Sequence, residues 1–217
     1  MKKQQSGFTL IELAIVLVII GLLLGGVLKG QELINSAKVK NMASDFKNIQ
    51  VYIYGYQDKY RALPGDDRLA STHVTGGSNG AGGTLGNGVI EGDWDSATLT
   101  TEAALFWQHV RLAGLAPGPT STTDANYFPT NADGGRIGIE SVSAFGGPAG
   151  LAGAYVICSA AVLGKYAKQL DTALDDGETS TGSFRAYAAG APTVWVTSNV
   201  ATPTIADATT YNVCLTF

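Results

Sequence analysis

The sequence predicts an α+β fold in which a long N-terminal α-helix, apolar over its first half and amphipathic over its second, packs on a C-terminal globular head with an antiparallel β-sheet. Three observations predict it. Phe8–Leu28 is a run of 21 residues, 16 of them apolar, with Glu12 as the single charge. No proline interrupts the chain between Phe8 and Pro64, and Val39, Met42, Phe46, Ile49, Ile53, Tyr56 and Tyr60 recur at alternating spacings of three and four. After Pro64 the helical period gives way to short apolar runs separated by glycine, proline and serine, the punctuation of turns and strands.

The first run has no polar stripe, unlike a helix packed in a soluble core. At 1.5 Å per residue it spans about 31 Å, the thickness of a bilayer core of about 30 Å. A cleaved secretory signal would be shorter and followed by a small-x-small site, but Lys29-Gly30-Gln31-Glu32 follows here. A plain signal anchor accounts for Lys2 and Lys3 on the cytoplasmic side and a translocated remainder, but not for Glu12. A carboxylate in the apolar phase costs on the order of 2.5–3.5 kcal/mol, so its presence implies a partner.

A short basic leader followed by Gly7-Phe8-Thr9-Leu10-Ile11-Glu12 resembles the processing site of type IV prepilins and pseudopilins. The resemblance implies cleavage after Gly7 by a membrane prepilin peptidase and methylation of the new N-terminus at Phe8. It also implies that Glu12 pairs with the N-terminal amine of a neighbouring subunit during assembly. Residues 1–7 are then the leader, 8–28 the transmembrane or filament-core helix, 29–60 its amphipathic continuation and 61–217 the head. Gly21 and Gly25, and Gly26 and Gly30, have GxxxG spacing, which lets helix backbones approach closely; glycine is also simply common in membrane helices. Many major pilins carry a proline where this chain has Lys29. That departure leaves local melting of the helix in a filament undecided, with Gly25-Gly26 as the candidate site, since each glycine costs about 1 kcal/mol in a helix.

The second half of the helix follows from its stripe, with Lys38, Lys40, Asp45, Lys47 and Asp58 lying off it. Leu63-Pro64-Gly65-Asp66-Asp67 ends it with turn chemistry. A Gly/Asn-rich loop over residues 75–95 precedes a short amphipathic helix, Glu102–Leu115, with Thr100 or Thr101 as N-cap and Gly118 beyond its end. Strands are expected at Arg136–Val142, Tyr155–Ser159, Ser183–Tyr187, Thr193–Thr197 and Tyr211–Phe217. A further helix over Leu163–Leu174 should stop at Asp175-Asp176-Gly177.

Composition excludes several functions. The head carries seven basic and fourteen acidic side chains, which is no footprint for general nucleic-acid binding. Two cysteines in 217 residues cannot make a disulfide-dense domain or a Cys-based zinc site. Cys158 and Cys214 both lie on expected strands; in an oxidising periplasm they pair, and otherwise they are two buried thiols. Pilins similarly carry a disulfide that staples a C-terminal loop to the sheet. Glu91, Asp93 and Asp95, in a glycine-rich stretch, are weak calcium candidates, with Asp175-Asp176-Gly177-Glu178 as a second acidic cluster. Both read more readily as solvated turns, and neither fits a twelve-residue EF-hand loop. Gly76-Gly77-Ser78-Asn79-Gly80 formally matches G-x-S-x-G but lacks the strand and helix that motif needs. Neither His73 nor His109 has metal-ligand spacing, and no catalytic residue, cofactor or confident metal site is expected.

The expectation is therefore a structural subunit that self-assembles into a type IV pilus-like helical homopolymer supporting adhesion, twitching motility or uptake. Its precursor would lie in the bacterial inner membrane with the head in the periplasm, and the mature subunit in an extracellular or periplasmic filament. The resemblance implies prepilin peptidase, an inner-membrane platform, an ATPase motor and minor pilins as partners. A pseudopilin of a type II secretion system is the alternative within the family. A single-span, membrane-anchored periplasmic binding or enzymatic domain is the alternative outside it.

Overall fold

The computed structural model describes residues 10–81, 83–189 and 204–217. The expected strand Thr193–Thr197 lies outside them. The elements run α1 (Leu10–Tyr60), α2 (Ala70–His73), α3 (Glu102–Leu112), β1 (Ile137–Ser141), β2 (Tyr155–Leu163), α4 (Gly164–Leu174), β3 (Phe184–Ala188) and β4 (Thr210–Thr216). Residues 1–38 and 39–217 form separate compact units, and the fold is α+β.

In the second unit α1 buries Val39, Met42, Phe46, Ile49, Ile53 and Tyr56, the stripe its three-and-four spacing predicts; Tyr60, the last residue of the stripe, is half-buried. These side chains meet the sheet, with Phe46 edge-on to Phe184 of β3 at 5.9 Å between ring centres. The four described strands are all antiparallel in the order β1-β2-β4-β3. Period-2 alternation sorts their side chains: Ile139, Ile157, Phe184, Ala186, Val213 and Leu215 join the main core with α1. Val156, Cys158, Tyr187 and Cys214 face the other way and pack with Trp94 in a second, smaller core.

β2 runs four residues past its expected end. A bulge between Ser159 and Val162, with Ala161 at φ 56°, resets the register and lets pairing resume at Val162↔Tyr211. Two alanines have little strand propensity, which hid the continuation. β1, β3 and β4 stand within a residue or two of their expected bounds, as does α4. The single turn α2, held by the Leu69 amide donating to Asp67 at 2.9 Å, is too short to show a period.

α3 departs from expectation in two ways. Thr101 is its N-cap, its hydroxyl accepting from the Ala104 amide, but the helix ends at Leu112 because Gly114 enters the left-handed region at φ 75°. It is also not amphipathic in situ: every residue from Glu102 to Arg111 is buried. Its polar side chains serve the backbone of the loops around it. His109 accepts from the Gly65 amide at 2.9 Å and its Nε2 lies 2.8 Å from the Ser78 carbonyl. Gln108 joins the Ser78 amide to the Thr120 carbonyl, and Arg111 donates to the carbonyls of Pro117, Pro119 and Tyr127. Gly65, at φ 93°, passes so close to this helix that a Cβ there would sit 2.4 Å from the Glu102 carbonyl.

Candidate functional site

In the first unit, α1 presents apolar side chains on all sides: from Leu10 to Leu28 its leucines, isoleucines and valines are exposed on the chain by itself, Leu10 at 89%. A helix apolar all round requires lipid or other helices around it. Among the described residues it is the one helix long and apolar enough to cross a membrane. Glu12 stands near its start, exposed, in the first turn that the structure describes. Gly7 and Phe8 lie outside the described residues. A Cβ at Gly21, Gly25, Gly26 or Gly30 would meet nothing within 4 Å, so close packing within the chain does not require glycine at these positions.

The head holds a broad concavity of about 630 Å³ whose lining includes Gln57, Tyr60, Arg61, Asp67, Arg68 and His73. Asp67 organises it, accepting from the Tyr56 hydroxyl at 2.8 Å and lying 2.6 Å from His73 Nδ1. Asp66 beside it accepts from the amides of Gly86, Asn87 and Gly88, which anchors the glycine-rich loop. Among the described residues no nucleophilic side chain bonds to His73, so the Asp67–His73 pair lacks the third member of a triad. Ser78, the centre of the G-x-S-x-G match, has its backbone held by Gln108 and His109, with no strand before it.

Cys158 and Cys214 are bonded to each other and stand directly opposite on β2 and β4. The bond joins two neighbouring strands, whereas the resemblance implied a staple from loop to sheet. Both cysteines are fully buried beside Trp94.

The first calcium candidates are not gathered into one site. Glu91 turns to the Thr84 amide, its Oε2 accepting at 2.8 Å. Asp93 and Asp95 instead line a cavity of about 200 Å³ with Glu140 and Asn212. Glu140 is missed by sequence reasoning, because a charged residue in a strand reads as solvent-facing. It is fully buried, its Oε1 accepts from the Trp94 amide, and its Oε2 has no hydrogen-bond partner. Burial, aided by the charges of Asp93 and Asp95, pushes its carboxyl up to about 8.

Burial acts the same way on Glu102 and Asp171, raised to about 7, and on Asp45, raised to about 6. The folded protein therefore binds more protons than the unfolded chain between roughly pH 4 and 8, and stability falls as pH rises through that window. In a chelating buffer the thermal midpoint should be higher at pH 5 than at pH 8. Glu140→Gln should raise the midpoint at pH 8 and narrow the difference; a midpoint that climbs from pH 5 to pH 8 would contradict the assignment.

Taken together, the described residues define an α+β subunit whose N-terminal helix is built to be surrounded by lipid or by other helices. Among the described residues of its head, no catalytic constellation is assembled. Residues 2–28 match the family model of the prokaryotic N-terminal methylation motif. The match runs from residue 2 through the apolar start of α1 and supports a type IV pilin-like or pseudopilin subunit, processed by prepilin peptidase. It implies a structural role rather than an enzymatic one, and with the apolar helix it is consistent with a membrane-anchored precursor. The chain matches no curated protein and no solved structure.

Proposed function

We propose that the chain is the structural subunit of a type IV pilus-like filament, cleaved after Gly7, methylated on Phe8 and assembled through its N-terminal helix. The observation that carries this reading is the methylation motif over residues 2–28, continuous with a helix that runs unbroken from Leu10 to Tyr60. The mechanism is one of transfer and register. The apolar helix leaves lipid for a core of like helices, so the change in apolar solvation is small and packing sets the arrangement. Cleavage creates an amine at Phe8, and a subunit in register places that amine against Glu12 of its neighbour. A misregistered subunit leaves both charges unpaired in an apolar core, which is the costlier state. The acidic head remains in water at the filament surface.

Shearing the surface of the native cell tests the pilus form of this reading. The chain should be recovered in the filament fraction. Its confinement to the cell envelope, with no surface filament containing it, contradicts a pilus and fits the pseudopilin of a type II secretion system.

A further inference from the structure

Among the described residues, Glu102, Glu140 and Asp171 each hold one carboxylate oxygen that is buried and has no hydrogen-bond partner. Asp171 is set apart by its surroundings. It lies in the last turn of α4, fully buried, and the turn that follows brings the Gly177 amide onto it. Its Oδ1 accepts from the Gly177 amide at 3.2 Å, and Oδ2 is the orphan. Ligand oxygens of Asp171, Asp175 and Asp176 all lie within 4.8 Å of one another.

The two loop carboxylates are fixed in place. Asp175 Oδ2 accepts from the Ser183 and Phe184 amides at the start of β3. Asp176 accepts from the Glu178 amide and the Thr181 hydroxyl, each at 2.9 Å. The charges of Asp176, Asp175 and Glu178 all oppose ionisation of Asp171. Three carboxylates held this close repel one another, and a buried oxygen without a partner is costly; a cation between them would relieve both.

We infer that Asp171, Asp175 and Asp176 form a binding site for a hard divalent cation of the calcium class. Calcium–oxygen bonds are about 2.3–2.6 Å, so two oxygens on one ion stand no more than about 5 Å apart, and the observed spread fits. An all-oxygen carboxylate set suits a hard cation, and calcium, which takes about six to eight oxygens in adaptable geometry, accommodates such a set more readily than magnesium, which demands a near-ideal octahedron. An ion here would tie the C-terminus of α4 to the start of β3. This site does not depend on the filament reading, and either can fail alone.

The test uses the full-length chain in detergent, stripped with EGTA and titrated with calcium chloride by calorimetry and by thermal unfolding. One calcium per chain is expected, with a Kd on the order of 10⁻⁴–10⁻³ M, as for extracellular modules, and a midpoint that rises with calcium and returns with chelator. Asp171→Asn and Asp176→Asn should each weaken binding by roughly tenfold or more, a loss that outer-shell partners alone can cause. Asp176 is exposed, so its variant keeps the fold. Wild-type protein with no binding heat and equal midpoints in calcium and chelator overturns the site. So does Asp176→Asn with wild-type affinity. Asp171→Asn that stabilises the stripped protein, alongside a wild type indifferent to calcium, makes Asp171 a protonated carboxyl and overturns it too.

Discussion

Replacing Glu12 with alanine should abolish filament assembly while leaving the head folded. Glu12 is the one acidic residue between Phe8 and Leu28, in the unit that ends at Lys38. The head has its own core, beginning with Val39 and Met42 on α1, so the substitution touches nothing that holds it together. In the filament core proposed here the loss would fall on the neighbour's amine, left charged in an apolar medium. Breaking one side of a buried pair costs about 3–5 kcal/mol, roughly a hundred- to several-thousandfold per contact at 1.4 kcal/mol for each factor of ten. Filament yield in the sheared fraction is the readout, with circular dichroism and the oxidation state of Cys158–Cys214 as controls on folding. Glu12→Gln should fail equally, since it keeps the shape and removes the charge. Normal yield from either variant would remove Glu12 from the mechanism.

Reduction of the Cys158–Cys214 bond should produce the largest loss of stability in the head. The bond closes a loop with a sequence separation of 56. In the chain-entropy model a loop of this size is worth about 4 kcal/mol, a large share of the roughly 5–15 kcal/mol that holds a domain folded. At about 2–4 °C per kcal/mol for a chain of this size, the thermal midpoint should drop by roughly 8–16 °C in reductant. The bond links β2 to β4, the two central strands, and lies beneath Trp94, so quenching of tryptophan fluorescence should change in the same transition. A Cys158→Ala/Cys214→Ala variant should start at a lowered midpoint and ignore reductant. Equal midpoints in oxidised and reduced wild type would show that sheet pairing alone suffices.

Both predictions concern features that the sequence already displayed, and the reason is physical. The α1 stripe is legible because burial against one sheet imposes a period on every third or fourth residue from Val39 to Tyr56. The strands of Ile137–Ser141 and Thr210–Thr216 are legible because β-branched and aromatic residues alternate there. The polar interior was not legible. His109, Gln108 and Arg111 look like the wet face of an amphipathic helix; in the fold they satisfy backbone groups as far away as Gly65, Ser78 and Tyr127. Such partners lie in loops with no period, so no local pattern announces them. Glu140 and Asp171 were hidden for the same reason. Each sits in a regular element whose pattern assigns it to solvent, and only the chain folded over it, Trp94 in one case and Gly177 in the other, reveals the burial. The candidate cation site is accordingly half visible in sequence: Asp175 and Asp176 stand out as an acidic turn, and the buried member of the set does not.

The proposed assembly mechanism rests on one chemical event, the creation of a methylated amine at Phe8. Intact-mass and N-terminal peptide mass spectrometry of the chain purified from its native cell reads that event directly. A mature N-terminus at Phe8 carrying one added methyl group is the predicted result. An intact Met1, or an unmethylated Phe8, would contradict it.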